Sequence, residues 1–275
     1  MTLQPEGIVL AVNDTDLSRR LQREGNLPSD IWVETSGPRT EDAVEVFAGR
    51  SLLLHNGLWD WSLAHPAALQ HEDALTVTRR RAAATGTPWL SVHIGFASPT
   101  VMYDGAMLAT TPVLDRAVLL ERMAHTVTSL QERLAVPLLL ENLDDQDSPA
   151  YDHICEADFI TELVDLTGAH LLLDLAHAQV SAARQGVGID DYLGALPLDR
   201  VRQIHLSGPR PDAMGGLHDA HETLREEDLD LLVWVLDEAP VSAVTLEYGR
   251  EADALLHDLD QIRRALSGFT QPKPA

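Results

Sequence analysis

The chain has 275 residues, of which 45% are hydrophobic, and its 43 acidic and 20 basic side chains give a net charge of −23 at pH 7. This hydrophobic fraction excludes a disordered chain, and the acidity excludes general binding to nucleic-acid phosphates. A single cysteine, Cys155, excludes a disulfide framework, an all-cysteine zinc site or an iron–sulfur cluster within one chain.

Short apolar runs alternate with longer amphipathic segments along the chain, which predicts strands buried on both faces and separated by helices. The predicted strands are 7–12, 30–34, 51–55, 88–93, 136–141, 169–174, 200–205 and 241–247. The predicted helices are 14–23, with Asp14 as its cap, 40–48, 65–85, 114–134, 156–167, 179–195, 226–238 and 251–266.

This alternation predicts an α/β fold, a single (β/α)8 TIM barrel over residues 1–270, followed by a disordered tail at 271–275. An open doubly wound sheet is the alternative, but no glycine-rich dinucleotide motif supports it. The first residues lack the regions of a signal peptide, and no apolar run reaches the length of about 20 residues that spans a bilayer. We therefore expect a cytoplasmic protein without membrane or nucleic-acid partners.

Six predicted strands end on a histidine or a carboxylate directly after aliphatic residues: His55, His93, Glu141, Asp174, His205 and Glu247. A barrel brings the carboxyl ends of all its strands to one face, where such enzymes have their active sites. Burying these groups is costly unless they are paired or bound to metal. The pattern therefore predicts a metal site at the C-terminal face of the strands.

Two further segments offer metal ligands. His177 follows Asp174 at the spacing of one helical turn, which places both side chains on one face. Asp219 and His221 lie two residues apart and point the same way if their loop is extended. The donors are nitrogen and oxygen only, which suits iron, manganese or zinc, and their number exceeds what a single ion requires.

Several of these segments resemble the multinuclear non-heme iron-dependent oxidative enzymes (MNIOs), a branch of the xylose-isomerase-like barrels that includes methanobactin oxazolone synthase. The resemblance extends over about residues 51–247. The similar segments are His55-Asn56-Gly57, Ser91-Val92-His93, Glu141-Asn142, Leu171-Leu172-Leu173-Asp174, Val180-Ser181-Ala182, Gln203-Ile204-His205-Leu206-Ser207-Gly208, Asp219-Ala220-His221 and the strand-end acid Glu247.

The resemblance implies that the iron ligands are His55, His93, Glu141, Asp174, His205, Asp219, His221 and Glu247, without catalytic residues separate from them. It also implies two or three iron ions of mixed valence, Fe(II)/Fe(III), with O2 as cosubstrate. The expected substrate is a peptide residue or a small amino-acid-derived molecule, as in ribosomal-peptide or natural-product biosynthesis, with a partner protein that recognises the leader. The chain departs from the family at Ala176, where an asparagine ligand is usual, and His177 is the candidate replacement.

Other residues are candidates for the substrate pocket or for supporting the ligands: Glu34, Asn142, Trp59 and Trp61. The segment 93–112 is expected to form a long loop above the barrel mouth. Two other functions stay open. One is a redox-neutral sugar isomerase, epimerase or hydrolase that uses Zn²⁺ or Mn²⁺. The other is a non-catalytic subunit of a heteromeric MNIO complex.

Overall fold

A computed structural model describes residues 7–56, 62–65, 72–212 and 215–269. Its strands, in chain order, are β1 (Val9–Asn13), β2 (Trp32–Ser36), β3 (Leu52–Asn56), β4 (Leu90–His93), β5 (Val101–Tyr103), β6 (Met107–Ala109), β7 (Leu138–Glu141), β8 (His170–Asp174), β9 (Val201–Leu206), β10 (Gly208–Pro211), β11 (Leu217–Glu222) and β12 (Ala243–Leu246). Eight of them form a closed barrel in the order β1-β12-β9-β8-β7-β4-β3-β2, and every pairing in it is parallel. The predicted TIM barrel is confirmed.

Helices follow the barrel strands: α1 (Asp16–Glu24), α2 (Thr40–Val46), α3 (Glu72–Thr85), α4 (Arg116–Arg133), α5 (Ala157–Thr167), α6 (Leu175–Gln185), α7 (Ile189–Gly194), α8 (Glu226–Glu238) and α9 (Ala252–Leu266). The single helix predicted over 179–195 is wrong. Gly186 ends α6 in the left-handed conformation, at a φ of 69°, and a second helix follows. Among the described helices, none combines the length and the apolar character needed to cross a membrane.

The prediction that Asp14 caps the first helix is also wrong. Thr15 is the N-cap, and its hydroxyl accepts a hydrogen bond from the Ser18 amide at 3.1 Å. The Asp14 carboxylate instead binds Arg19 and accepts a hydrogen bond from Thr35 on β2. The tail predicted at 271–275 and the start of the predicted helix 65–85 lie outside the described residues.

The inside of the barrel has an apolar layer below a polar one. Side chains two residues apart on a strand point to the same face. Ala11, Leu53, Trp89, Leu139, Leu172 and Ala243 form a buried cluster separate from the main hydrophobic core. Two positions further along their strands lie Asn13, His55, Ser91, Glu141, Asp174 and Thr245. The apolar layer therefore closes the barrel beneath the polar one.

Two antiparallel hairpins lie outside the barrel sheet: β5 pairs with β6, and β10 pairs with β11. The first lies in the segment 93–112, which is therefore not a plain loop as predicted. The second follows β9 directly and includes Asp219 and His221 on β11, in place of the extended loop that the sequence suggested.

Candidate metal centre

The ends of β3, β4 and β7 bring two imidazoles to one carboxylate. Glu141 Oε2 lies 3.4 Å from His55 Nε2 and 3.2 Å from His93 Nε2. The His55 ring is oriented from its other side by the Ser91 hydroxyl, 3.0 Å from Nδ1. Each of the three residues offers a donor atom within 4.8 Å of the others, a spacing that fits one ion.

His205, at the end of β9, connects this group to three carboxylates. Its Nδ1 lies 3.1 Å from Glu141 Oε1 and 3.4 Å from Glu247 Oε1, and its Nε2 lies 3.1 Å from both oxygens of Glu34. Glu34 was expected to bind substrate or to support the ligands. That role stays a prediction, and Glu34 also belongs to a group of potential metal donors with His55 and His205.

The β10–β11 hairpin brings a third set of side chains over the barrel mouth. Asp219 Oδ2 lies 2.9 Å from His221 Nε2 and 3.6 Å from His177 Nε2. His221 also approaches Glu247 Oε2, at 3.2 Å, with a backbone φ of 45°. Asp219 and His221 thus point to the same place, as their spacing suggested, although they lie on a strand.

Asp174 has two roles at the junction of β8 and α6. Its Oδ1 accepts a hydrogen bond from the His177 amide at 2.7 Å, which makes it the N-cap of α6. Asn142 accepts from the Asp174 amide at 2.8 Å and donates to its carbonyl at 3.0 Å. The Asn142 side chain therefore fixes the backbone beneath the site, and it is absent from the cavity lining.

Two carboxylate oxygens supply the test of whether these residues fit a metal. Glu141 Oε2 and Asp174 Oδ2 are buried and have no hydrogen-bond partner among the described residues. An unpartnered buried carboxylate oxygen is costly. Asp174, Glu141 and His205 offer donor atoms within 4.8 Å of one another. A nitrogen–oxygen donor set with unsatisfied carboxylates fits a first-row divalent metal.

The charges of the site favour bound cations. Burial raises the pKa of Glu141, but the neighbouring rings of His93, His205 and His55 outweigh it and hold that pKa well below its usual range. Burial opposes the charge on His221, yet hydrogen bonds to Asp219 and Glu247 raise its pKa to about 11. Glu141 is thus held ionised, as metal ligation requires.

Burial acts most strongly on two other groups. It lowers the pKa of His93 to about 4, so this ring is neutral and has a lone pair available for a metal. It raises the pKa of Asp174 to about 7, and the charges of Asp219, Glu247 and Glu141 add to the shift. Asp174 is therefore the carboxylate that most needs a cation in order to ionise at neutral pH.

A polar network that was not predicted from the sequence lies below the ligands. Gln203 Nε2 donates to Glu34 Oε2 at 2.6 Å and to the Thr245 hydroxyl at 3.0 Å, and its Oε1 accepts from Trp89 Nε1 at 2.7 Å. Asn13 donates to Glu247 Oε1 at 2.6 Å. The positions of Gln203 and Thr245 could have revealed this network. Each lies two residues before a predicted strand end, His205 or Glu247, and so points to the same inward face.

The ligand candidates other than Asp174 line a cavity of about 400 Å³. Phe96, Tyr103, Met107 and Tyr151 form an apolar part of its wall. Tyr103 and Met107 come from the β5–β6 hairpin, so part of the segment expected above the mouth does border the cavity. Trp59 and Trp61, predicted to line this pocket, lie outside the described residues.

Comparison with solved structures defines the class of barrel. The 3-keto-D-glucoside 4-epimerase YcjR from E. coli superposes with a TM-score of 0.59 at 14% identity, covering 94% of this chain and 99% of that chain. A D-tagatose 3-epimerase-like protein gives a TM-score of 0.64 at 12% identity, covering 94% and 97%. At such low identity the likeness shows the fold alone, a TIM barrel.

The family follows from sequence. The family model of the RiPP precursor modification enzymes MbnB/TglH/ChrH matches residues 26–267, and the chain belongs to this family. A UPF0276 protein of Caulobacter vibrioides is 32% identical over 146 residues, which cover 48% of this chain and 51% of that protein. The chain thus matches about half the length of this relative. The family recognised from the strand-end motifs is confirmed.

Proposed function

We propose that this protein is an oxidative enzyme that uses a centre of two or three iron ions and O2 to modify a ribosomally made peptide. The observation that carries the proposal is a pair of buried carboxylate oxygens among imidazoles at the strand ends, Glu141 Oε2 and Asp174 Oδ2, that have no hydrogen-bond partner among the described residues. Family membership supports a peptide substrate. The resemblance to the MNIOs supports iron and O2, and extends the proposal to a leader-recognising partner protein.

The residues that would hold the metal ions are His55, His93, Glu141, Asp174, His205, Asp219, His221 and Glu247. Bound iron supplies the one-electron and O2 chemistry that amino-acid side chains lack. Glu141 turns one oxygen toward His55 and His93 and the other toward His205, so it can connect two positions. Glu34 orients the opposite edge of the His205 ring.

The cavity wall selects and shields the substrate. Phe96 and Tyr151 are buried and meet edge to face, with ring centroids 5.5 Å apart, so they keep water from one side of the site. Tyr103 is 71% exposed and also borders the cavity, where an entering peptide would contact it. A volume of about 400 Å³ is near the lower end for ligand pockets, which suits one peptide residue or a small amino-acid-derived molecule.

Oxygen uptake tests the proposal without knowledge of the peptide sequence. The protein is loaded anaerobically with Fe²⁺ and freed of unbound metal, and O2 consumption and visible absorption are followed after air is admitted. Protein loaded with Zn²⁺ and iron-treated Glu141→Gln are the controls. We expect uptake and new absorption bands for iron-loaded wild type alone.

Two results would replace the proposal with one of its alternatives. If iron-loaded protein takes up no more O2 than the controls, while Mn²⁺-loaded protein epimerises a ketose without O2, the redox-neutral enzyme is correct. If folded protein retains no metal after reconstitution, the chain is the non-catalytic subunit of a larger complex.

A further inference from the structure

Asp144 differs from the other carboxylates that line the cavity at the barrel mouth. Among the described residues, the acids in this lining are Asp14, Glu34, Glu141, Asp144, Asp219 and Glu247. Three of them are ligand candidates, and Asp14 is bound by Arg19. Glu34 is held by hydrogen bonds inside the barrel. Asp144 has neither role, and a substrate that enters the cavity meets its carboxylate.

The hydrogen-bond partner of Asp144 is an amide and not a cation. Gln146 Nε2 donates to Asp144 Oδ2 at 3.0 Å. Among the described residues, no arginine forms an ion pair with Asp144, because Arg184 binds the next carboxylates of the loop, Asp145 and Asp147. Asp144 is partly buried. A substrate that covers it without offering a donor would therefore remove its contact with water at a cost in free energy.

Aromatic rings lie beside this carboxylate. Burial, followed by the charge of Asp144, raises the pKa of Tyr151, so the phenol is neutral and lies close to the carboxylate. Phe96 meets the Tyr151 ring edge to face, and both rings line the same cavity as Asp144. An aromatic face attracts cations, and a carboxylate forms its strongest hydrogen bonds with charged donors. This wall therefore favours a positively charged group over a neutral or an acidic one.

A second cavity extends the negative charge beyond the first. Its volume is about 580 Å³, and Gln146 and Tyr151 line both cavities. Its lining includes four carboxylates and one arginine, namely Asp145, Asp147, Asp152, Glu156 and Arg184. This excess of carboxylates gives a negative potential beside the barrel mouth, and such a potential raises the local concentration of cations. It supports the preference expected at Asp144 without defining a site of its own.

We propose that Asp144 binds a positively charged group of the substrate peptide and thereby places a neighbouring peptide residue at the metal centre. The group is an ammonium or a guanidinium, from a lysine or arginine side chain or from the amino terminus. A neutral residue would cover Asp144 without a charged donor, and an acidic residue would be repelled. The inference rests on the proposed function, because it takes the substrate to be a peptide, but it does not depend on iron or O2.

Peptide retention tests the inference without O2 chemistry. Protein loaded with Zn²⁺ is mixed with hexapeptide amides randomised at every position, one set acetylated and one with a free amino terminus. The buffer contains about 150 mM salt, which screens the attraction between exposed charges. Bound and unbound peptides are separated by ultrafiltration and identified by mass spectrometry. We expect acetylated peptides with lysine or arginine to be enriched about tenfold over those with glutamine, as for one hydrogen bond to a charged group.

The two sets identify the source of the charge. Enrichment of lysine or arginine in the acetylated set assigns the bound group to a side chain. Stronger retention of the set with a free amino terminus, without that enrichment, assigns it to the terminal amine. Either result supports the inference.

Substitutions of Asp144 should change the preference according to charge. Asp144→Asn keeps the size of the side chain and should lose the enrichment, whereas Asp144→Lys should enrich peptides with aspartate or glutamate. Asp104→Asn is the matched control, because Asp104 is exposed in the turn of the β5–β6 hairpin and does not line the cavity. It removes the same charge and should behave as wild type. Circular dichroism verifies that each variant is folded.

Equal retention of cationic and neutral peptides by wild type, in both sets, would overturn the inference. So would equal enrichment in wild type and Asp144→Asn. A loss in Asp104→Asn as large as that in Asp144→Asn would also overturn it, since the preference would then come from overall acidity. Enrichment that depends on Asp144, in a protein whose iron-loaded form consumes no O2, would contradict the oxidative function and leave this inference standing.

Carbodiimide coupling decides the question if neither Asp144 variant folds. The reagent joins an amine to a carboxylate that it contacts, so an enriched peptide with a lysine or a free amino terminus is coupled to wild type. Coupling at Asp144, located by mass spectrometry, supports the inference, and coupling only at other carboxylates overturns it.

Discussion

Glu141 Oε1 and His205 Nδ1 lie 3.1 Å apart although β8 separates their strands in the barrel. Neither residue reaches the other through the sheet, so they meet inside the barrel, above its apolar layer. The contact leaves Glu141 Oε2 without a hydrogen-bond partner among the described residues. The site therefore holds a buried carboxylate oxygen that receives no hydrogen bond from the described residues. Variants of such carboxylates should change the free energy of unfolding measurably.

Asp174→Asn is expected to stabilise the metal-free protein and to weaken metal binding. Asp174 has a buried oxygen without a hydrogen-bond partner among the described residues. Burial and the like charges of Asp219, Glu247 and Glu141 outweigh the favourable charge of His177 and raise its pKa to about 7. The amide keeps an oxygen for the helix cap and removes the charge, which should raise the free energy of unfolding by about 1–2 kcal/mol. Urea unfolding in the presence of a chelator measures this change in the free energy of unfolding.

The matched control for that prediction is Asp228→Asn, at a buried carboxylate whose partners are complete. Asp228 accepts from the Arg225 side chain at 2.7 and 3.0 Å and from its amide at 2.8 Å. Its replacement should lower the free energy of unfolding by about 1–3 kcal/mol. A loss of stability of similar size in both variants would show that Asp174 is an ordinary structural carboxylate.

Gln203→Leu is expected to destabilise the protein, because its amide connects Trp89, Glu34 and Thr245 inside the barrel. Leucine leaves the indole N–H without its partner and Glu34 with one donor fewer, at a cost of about 2–4 kcal/mol. Metal affinity should also fall, since Glu34 orients the His205 ring. Gln131→Leu, at a partly exposed position on α4, is the control and should change stability little.

Much of the site could be predicted from the sequence because its residues end strands. In a parallel barrel the carboxyl ends of all strands lie at one face. Residues such as His55 and Glu247 therefore converge there whatever conformation the loops adopt. The contribution of the hairpins could not be predicted in this way. Asp219 and His221 reach the centre only because β11 folds back on β10, and the pairing of these strands depends on contacts that no local pattern specifies.

The polar network below the ligands was missed for a related reason. Thr245 interrupts an apolar run by one residue, and Gln203 follows Arg202 within a short strand, so neither residue stands out until the inward face of its strand is known. Asp174 as a metal ligand stays a prediction, and its observed role as the N-cap was not predicted because α6 begins earlier than its sequence suggests. Ala176 and His177 do not mark the start of a helix by their residue types. The start of α6 is set by Asp174, whose side chain accepts a hydrogen bond from the His177 amide.

Gly208→Ala is expected to lower metal content while leaving the barrel folded. A Cβ at Gly208 would lie 2.1 Å from the Thr223 carbonyl oxygen and 3.0 Å from that of Glu222, so the β10–β11 hairpin would have to move. The movement displaces Asp219 and His221. Gly194→Ala is the control, because a Cβ there meets no atom within 4 Å. Metal content together with circular dichroism checks the prediction, and unchanged metal content in Gly208→Ala would contradict it.

His170 is expected to make the metal-free protein less stable in mild acid. Burial, followed by the charges of Arg202 and Arg200, lowers its pKa below 6.5 in the folded state. As the pH falls through about 6.5, the unfolded chain takes up the proton first, so the free energy of unfolding decreases. The raised pKa values of His221 and Asp174 act in the opposite sense over this range. The contribution of His170 is therefore the difference between the free energies of unfolding of wild type and His170→Gln, measured by urea unfolding between about pH 8 and 5.5.

The His170→Gln variant should lose that part of the pH dependence. His257→Gln, at an exposed histidine on α9, should keep it. Identical pH profiles for wild type and His170→Gln would show that the His170 ring does not contribute.

The most direct test of the central claim is the metal content of protein purified without exposure to air, measured by elemental analysis. We expect iron at more than one ion per chain, with Glu141→Gln losing most of it. A single zinc or manganese ion per chain, or iron content equal in wild type and Glu141→Gln, would contradict it.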